Sequence, residues 1–339
     1  MYANIHEIAK RAGVSIATVS RALNKKGPIK EDTRLRILQI AQEMNYKPNP
    51  MARSLSRRKN DTIGVILPEL VDEFFTDIIR GIDEEAHRCG KFILVSSSHG
   101  KRDVVETALE FMGSGRVDGV ILMIPQIHKD VAALIQKSRR PVVLLNSDCQ
   151  LVDVVRFNIN NYLGAKAVTE HLIQHGYRRI GMIQGPEGNC DAEERFRGYR
   201  DALAEKEIEV NNEMIVTGDF KIKSGFYGFS RLMSLPEKPQ AIFAANDMTA
   251  IGVYEAAQQH QLSIPDDVAV VGFDDIYLSR LVKPRLTTVH VPIIELGTKA
   301  TRYLIKMIDH EQETEAGYNE TLSTGLVIGG SCGCRDLNI

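Results

Sequence analysis

The chain of 339 residues has no apolar run long enough to cross a membrane, and its first residues lack the charged-then-apolar pattern of a signal peptide. It has five cysteines, an odd number without the spacing of a disulfide framework. These absences argue against a membrane protein and against a disulfide-rich secreted protein. We therefore expect a cytoplasmic location, no membrane partner and reduced thiols.

The motifs of several common enzyme classes are also missing. The sequence contains no GxxxxGK[ST], no GxGxxG after a strand, no GxSxG and no HExxH. The nine histidines suggest no cluster at metal-ligand spacing, and Cys332 and Cys334 form a lone CxC without a second ligand pair. We expect no enzymatic activity, no metal and no other cofactor. An enzyme on an α/β scaffold stays as an alternative that the sequence does not favour.

The net charge of −2 conceals a strong asymmetry along the chain. Residues 1–60 carry 13 basic and 4 acidic side chains, a net charge of +9, which leaves −11 for the rest. A small basic head on a large acidic body indicates that the head meets a polyanion. A merely solvated basic surface is the alternative that charge alone leaves open. A solute-binding protein is a third reading, but the fused basic head and the missing signal peptide count against it.

Three helices are predicted in the head. The first carries an apolar face and has Asn4 as its N-cap, with Gly13 suited to the turn at its end. The second starts at the N-cap Ser15 and buries Val19, Ala22 and Leu23. In the third, residues 30–46, the predicted apolar contacts are Leu35, Leu38, Ile40, Ala41 and Met44. Two helices joined by a glycine-containing turn are typical of a helix-turn-helix, although a three-helix bundle that binds protein has the same pattern.

The side chains that the second helix turns outward suit the major groove of DNA. Short hydroxyls can contact phosphates, small apolar groups can contact thymine methyls, and arginine can bind a guanine edge through two hydrogen bonds. The predicted contacts are Ser15, Ile16, Ala17, Thr18, Ser20 and Arg21.

The head resembles one known family closely. The run "IHEIAKRAGVSIATVSRALN" followed by "NYKPNPMARSL" is similar to the N-terminus of the LacI/GalR family of bacterial transcription regulators. The resemblance adds Asn24 and Tyr46 to the DNA contacts. It also implies that residues 49–60 form a hinge helix on DNA, with Leu55 as a wedge in the minor groove and Asn49, Ala52 and Arg53 lining it.

The body alternates strand-like and helix-like runs, which predicts parallel sheets buried on both faces. Seven strands are predicted at 62–68, 91–97, 118–124, 141–146, 178–185, 241–247 and 268–275, and helices at 74–89, 102–113, 128–137, 161–175, 192–207, 222–234 and 246–260. A strand, a helix and another strand complete the body. The expected fold class is α/β, a three-helix head followed by two doubly wound parallel-sheet subdomains. This body resembles the periplasmic sugar-binding protein fold.

The resulting division of the chain has four parts. They are the helix-turn-helix domain 1–48, the hinge 49–60, the body 61–331 and the tail 332–339, with an N-subdomain of about 61–160 plus 291–320 and a C-subdomain of about 161–288 plus 321–331. The tail has no leucine heptads, which argues against assembly through a C-terminal coiled coil.

Ligands of such sheets bind beyond the carboxyl ends of the strands, between the two subdomains. Polar and aromatic groups at these ends suit a sugar-like molecule, which needs donors and acceptors beside an apolar surface. The predicted effector residues are Glu69, Phe74, Phe75, Asn146, Arg195, Phe220, Asn246, Asp247 and Asp274. A cap or turn is the alternative role for each, and Asn246 and Asp274 are equally suited to capping helices.

The sequence departs from the commonest family pattern at two positions. Asn146 stands where many members carry an aspartate, and Gly329 stands where an arginine is usual. The first departure leaves the identity of the ligand open, and the second puts an anchoring role for that arginine in doubt. The resemblance implies a homodimer on a pseudo-palindromic operator, most often repressing, with a carbohydrate as the expected effector. A protein co-regulator is left open.

Overall fold

The structure, a computed structural model, describes residues 4–23, 27–46, 60–70, 72–97, 113, 115–124, 129–147, 153–309 and 317–334. The chain divides into two compact units, Met1–Asn60 and Asp61–Ile339. The helices of the described residues are Ile5–Ala12 (α1), Ile16–Leu23 (α2), Glu31–Glu43 (α3), Glu73–Arg88 (α4), Lys129–Lys137 (α5), Asn161–Gln174 (α6), Cys190–Ala204 (α7), Ile222–Met233 (α8), Asp247–Gln259 (α9) and Ile293–Asp309 (α10).

Twelve strands are described in the body. They are Thr62–Leu67 (β1), Phe92–Ser97 (β2), Gly119–Met123 (β3), Val142–Leu145 (β4), Val155–Ile159 (β5), Ile180–Ile183 (β6), Ile215–Val216 (β7), Ala241–Ala244 (β8), Ala269–Val271 (β9), Thr288–His290 (β10), Asn319–Leu322 (β11) and Gly325–Val327 (β12). Short 3-10 turns occupy Asn212–Met214 and Tyr277–Arg280. Among the described residues, no helix is both long and apolar enough to span a membrane.

The head is built as its sequence predicts at both helix starts. Asn4 and Glu7 form a reciprocal capping box at α1, and Gly13 ends that helix with a φ of +64°. The Ser15 hydroxyl accepts a hydrogen bond from the Thr18 amide at 3.2 Å, which caps α2. Gly13 and Ser15 therefore define the short turn between α1 and α2.

The head core corrects the prediction for α3. Ile37 is fully buried with Ile8 and Val19, whereas Leu35 and Leu38 are 58% and 39% exposed. The reason is helical periodicity: Ile37 and Ala41 are one turn apart on the inner face, and Leu35 lies about 200° around the helix from Ile37. Leu23, Ile40 and Met44 are only partly buried around this core.

The body has two parallel sheets and one antiparallel pair. The first sheet has the order β11-β5-β4-β3-β1-β2, and the second has the order β7-β6-β8-β9. Strands β10 and β12 pair antiparallel. After β5 the chain enters the second sheet, α10 then returns to pack on α4 beside the first sheet, and β11 pairs with β5. The α/β class is therefore confirmed.

All seven predicted body strands are present, and each is shorter than predicted. Residues such as Asn146 and Asp274 leave the sheet with positive φ, so the apolar pattern overruns the strand into a loop. Strands β5 and β7 were not predicted. The expected single final strand is wrong, because β11 joins the first sheet while β12 pairs with β10. The predicted helix 102–113 lies outside the described residues except for Gly113.

Gly329 has a structural reason for lacking a side chain. A Cβ at this position would overlap the carbonyl oxygen of Arg285, and the Gly329 amide donates to the Thr287 hydroxyl at 2.9 Å. The backbone is packed too closely for an arginine here without a shift of the chain. The departure from the commonest family pattern therefore fits the local packing.

Candidate functional site

The outward face of α2 is a mixed surface of hydroxyl, apolar and cationic groups. Ser15, Ala17 and Arg21 are exposed, and Ile16 is 41% exposed. Thr18 and Ser20 are partly exposed. The hydroxyls of Ser15 and Thr18 lie 2.9 Å apart, so Ser15 links the helix cap to this face. The arrangement can supply the groove contacts that the sequence predicts.

Other predicted DNA contacts have different settings. Tyr46 is partly buried against the head core, so its ring also supports the fold. Asn24, Asn49, Ala52, Arg53 and Leu55 lie outside the described residues, and their roles stay predictions.

Arg195 is the centre of a buried polar network in the body. From α7, its Nε donates to Asn161 Oδ1 at 2.8 Å and its Nη1 donates to the carbonyl oxygen of Ala245 at 2.6 Å. Its guanidinium carbon lies 3.9 Å from the centre of the Phe273 ring and 5.5 Å from that of Phe220. These contacts hold the guanidinium plane in one orientation.

Asp274 completes the ion pair of this network. Its Oδ1 lies 3.1 Å from Arg195 Nη2, and both side chains are almost fully buried. Burial raises the pKa of Asp274 to about 7, although Arg195 opposes the shift and Asp72 adds to it. This carboxyl can therefore change its charge near neutral pH.

Asn146 and Asp191 extend the polar network from the first sheet to the second. The Asn146 amide nitrogen lies 3.4 Å from Asp191 Oδ2, and Asn161 donates to Asp191 Oδ1 at 2.8 Å. Burial raises the pKa of Asp191 to about 6, against the opposing charge of Arg195. Asn146 Oδ1 is buried and has no hydrogen-bond partner among the described residues. Such an acceptor is costly unless a ligand or water satisfies it.

The backbone is unusual at three of the predicted effector residues. Asn146, Phe220 and Asp274 have φ values of +44°, +64° and +114°. Residues other than glycine seldom adopt a positive φ, and those that do are concentrated at functional sites. Phe220 has room because Gly185 has no side chain, since a Cβ there would overlap the Phe220 ring.

Asn246 and Asp247 both have hydrogen-bond partners within the protein. Asn246 caps α9 through the Thr249 amide at 2.9 Å and donates to the Phe220 carbonyl oxygen at 3.1 Å. Asp247 is fully buried and accepts from the Thr288 hydroxyl and the Ile276 amide. Both residues support the loops that carry Phe220 and Asp274.

The predicted residues of the first sheet lie at its carboxyl edge. Glu69 accepts from Lys221 Nζ at 3.1 Å, a contact between the two sheets' loops. Phe74 and Phe75 pack edge to face with ring centres 5.4 Å apart. A cavity of about 840 Å³ is lined by Phe74 and Asp274, but most of its lining comes from the rest of α4, the turn at 275–280 and the start of α10, and Arg195, Asn146 and Phe220 do not line it.

Four residues of this region were missed by sequence reasoning. They are Asp72, which caps α4, Glu73, whose carboxylate accepts from the Tyr277 amide at 2.7 Å, Asn161 and Asp191. A signal existed for Asp191, which precedes Arg195 by one helical turn. Asn161 is the first residue of α6, separated from the end of β5 by one residue, and β5 was one of the two strands that were not predicted.

Two family models match the chain, in agreement with this geometry. The model of bacterial regulatory proteins of the lacI family matches residues 4–49, and that of the periplasmic binding protein-like domain matches residues 169–332. The ribose operon repressor of Escherichia coli (strain K12) is 34% identical over 307 residues, which cover 90% of this chain and 93% of that protein. The chain belongs to the LacI family. It is a DNA-binding transcriptional regulator, and the predicted family, fold and general function are confirmed.

Further relatives of this LacI-family protein cover nearly its whole length. The repressor CytR of Escherichia coli (strain K12) is 32% identical, covering 97% of this chain and 96% of that protein. The structure of the Lac repressor dimer bound to operator and the anti-inducer ONPF matches with a TM-score of 0.87 at 27% identity, covering 98% and 99% of the two chains. A CelR–cellobiose complex matches with a TM-score of 0.74 at 26% identity, covering 97% and 99%.

Proposed function

We propose that this regulator is a repressor that binds a pseudo-palindromic operator as a homodimer and responds to a sugar or sugar derivative. The observation that carries the effector proposal is the buried network around Arg195, Asp274 and Asn146 at the carboxyl ends of two parallel sheets. A network of this kind binds a polar ligand rather than an apolar one, because its unsatisfied acceptor needs a donor.

The chemistry of the network suits several neighbouring hydroxyl groups. Asn146 Oδ1 and the carboxylates of Asp191 and Asp274 can accept hydrogen bonds from hydroxyl groups, and Arg195 has N–H donors left after its three internal contacts. Phe74 and Phe220 offer apolar ring surfaces at the edge of the same region. The names of relatives, a ribose operon repressor and a cellobiose complex, support a carbohydrate.

Operator recognition is assigned to α2. Its exposed Ile16, Ala17 and Arg21 combine base-edge and methyl contacts on one short helix, and the basic head provides attraction to phosphates. Access to chromosomal DNA supports the expected cytoplasmic location.

A homodimer is supported by the symmetry argument and by exposed apolar side chains. Two heads on one assembly match a two-fold operator, and the similar Lac repressor structure is a dimer on its operator. Phe92 and Leu94 are 72% and 41% exposed on β2, an edge strand of the first sheet, and Tyr227 is 69% exposed on α8. Burial of such side chains in a dimer would be favourable.

The effector would act through the hinge, residues 49–60. Closure of the two sheets around a ligand changes the separation of the paired hinges, and this stabilises or melts the hinge helices with Leu55 as the wedge. The coupling free energy between effector and operator can be no larger than the difference in the effector's binding free energy for the two states. This mechanism works without a protein co-regulator, and a co-regulator would act in addition to the effector.

The test is operator binding measured with and without candidate effectors. Labelled DNA from upstream of the protein's own gene is titrated with the dimer at two salt concentrations, with unrelated DNA of equal length as control. The result expected is a specific complex whose affinity changes with one member of a panel of pentoses, hexoses and disaccharides. Binding that never distinguishes the two DNAs would contradict the operator proposal, whereas specific binding without any response would contradict the carbohydrate proposal.

A further inference from the structure

Four potential metal ligands converge at the end of α6, away from the effector network. His171 Nε2 lies 3.2 Å from Cys332 Sγ, and His175 Nε2 lies 3.1 Å from Cys334 Sγ. The separation between Cys334 Sγ and His171 Nε2 is 3.7 Å, and all four ligand atoms lie within 4.8 Å of one another. The sequence-based statement that the histidines do not cluster is therefore wrong for His171 and His175.

We propose that His171, His175, Cys332 and Cys334 bind one zinc ion. In a tetrahedral site with Zn–S of about 2.3 Å and Zn–N of about 2.0–2.1 Å, ligand atoms are separated by roughly 3.3–3.8 Å. The observed separations of 3.1, 3.2 and 3.7 Å are close to these edges. Enclosing the ion requires the two shortest N···S separations to lengthen by a few tenths of an ångström and the widest separation, at most 4.8 Å, to shorten by about 1 Å.

The local sequence explains why the four side chains meet. His171 in the last turn of α6 and His175 at its C-cap are four residues apart, so they share one face of the helix. Between the two cysteines, Gly333 has a φ of +91°, which bends the chain where an L side chain would be strained. The Tyr177 hydroxyl donates to the Cys332 carbonyl oxygen at 3.1 Å and holds this bend against the helix.

The donor set selects the class of cation. Two imidazoles and two thiolates suit zinc, whereas magnesium and calcium prefer oxygen ligands. The Thr287 hydroxyl lies 3.1 Å from Cys332 Sγ, where it can donate to a thiolate as an outer contact of the metal site. Cys332 is fully buried and His171 is 9% exposed, whereas His175 is exposed and Cys334 is partly exposed, so the ion would be shielded on one side and face solvent on the other.

A structural role follows from the number of ligands and from their positions. Four protein ligands leave no open position for substrate, as in closed structural zinc sites. The ion would fasten residues 332–334 to the C-terminal end of α6. The other end of α6 carries Asn161, which binds Arg195 in the effector network. The zinc therefore stabilises the helix on which part of the effector network is built.

The experiment measures zinc in the full-length protein after purification under reducing conditions and dialysis against metal-free buffer. One zinc per chain is expected by elemental analysis. Replacing zinc with Co²⁺ should give the visible absorption of a tetrahedral site together with thiolate-to-cobalt charge transfer. Cys334→Ser and His175→Gln should each lose the bound zinc and the Co²⁺ absorption. The matched changes Cys89→Ser and His87→Gln, at the C-terminal end of α4, should keep both.

Two results would overturn the zinc proposal. One is that reduced wild-type protein takes up neither zinc nor Co²⁺ on titration but still binds operator. Operator binding in the same sample shows that only the zinc proposal has failed and not the proposed regulatory function. The other is a metal signal that survives both Cys334→Ser and His175→Gln. Because the titration uses folded wild-type protein, poor folding of a variant leaves the test intact.

Discussion

Arg195 Nη2 and Asp274 Oδ1 are 3.1 Å apart and join helix α7 to the loop after β9 inside the C-terminal part of the body. The pair is almost fully buried, and the backbone of Asp274 has a φ of +114°, which residues other than glycine seldom adopt. A buried ion pair on a strained backbone contributes little net stability. Its better explanation is a preorganised contact for a polar ligand.

Asp274→Asn should weaken effector binding by at least about tenfold, because it keeps the size of the side chain and removes its charge. Operator affinity without effector should change little. Calorimetric titration of effector and anisotropy with labelled operator measure the two quantities separately. Asp266→Asn, a change of an exposed aspartate in the turn before β9, is the control. Equal losses of effector and operator binding would mean that Asp274 has only a structural role.

Effector affinity should rise with pH through the neutral range. Burial raises the pKa of Asp274 to about 7 and that of Asp191 to about 6, so both carboxyls are largely protonated in mildly acidic solution. A polyol that donates to carboxylates favours their ionised form, so binding releases protons below these pKa values. Effector affinity should therefore rise by up to roughly tenfold per pH unit for each proton that binding releases.

Calorimetry in two buffers of different ionisation enthalpy, at about pH 6 and about pH 8, measures this proton release. The Asp274→Asn variant should show a flatter dependence. An affinity that falls as pH rises would show that the ligand prefers the protonated carboxyls.

Arg21→Ala should cost roughly 1–3 kcal/mol of operator affinity and relax the preference at one base position in each half-site. The reason is that an exposed arginine on α2 can bind a guanine edge directly. Binding to a set of single-base operator variants measures it. Arg36→Ala, an exposed arginine on α3, should leave the base preference unchanged. An equal loss on every sequence would make Arg21 a phosphate contact.

Periodicity in the sequence predicted the elements well but could not predict their partners. It found the helix caps at Asn4 and Ser15 because capping depends on neighbouring residues. It missed Ile37 in the head core, where two apolar stripes compete on α3. It also gave Asp247 and Asp274 the same role, since both lie at the ends of strand-like runs, although Asp247 accepts from Thr288 and Ile276 while Asp274 pairs with Arg195.

The cluster of two histidines and two cysteines was missed because its members are far apart in the sequence. His171 and Cys332 are 161 residues apart, and only the return of the chain through β12 brings them together. The i, i+4 spacing of His171 and His175 was visible in the sequence, but a single pair is weak evidence without the cysteines. The fold supplies the second half of the cluster.

Leu55→Ser should lower specific operator affinity and reduce the bend of the bound DNA. Leu55 lies outside the described residues, and its predicted role as a wedge comes from the family resemblance. An apolar side chain inserted between base steps partly unstacks them, whereas serine cannot replace that contact. Gel mobility of circularly permuted operator fragments reports the bend. An unchanged bend angle would favour a simple linker at this position.

Gly252→Ala should destabilise the body by about 1–3 kcal/mol and weaken effector binding, because α8 and α9 pack backbone to backbone. A Cβ on Gly252 would overlap the carbonyl oxygen of Ile222, and a Cβ on Gly225 would overlap that of Thr249. Helix α9 also starts beside Asn246, whose amide donates to the carbonyl oxygen of Phe220. Separating the two helices therefore moves Phe220 away from Arg195.

Urea unfolding and effector titration measure the two effects of Gly252→Ala. Gly325→Ala is the matched control, because a Cβ there meets open space and the residue has no positive φ. If Gly252→Ala lowered stability without changing effector affinity, Phe220 would be held by contacts other than the junction of α8 and α9. The ring would then depend on Gly185, the other position where a side chain would displace it.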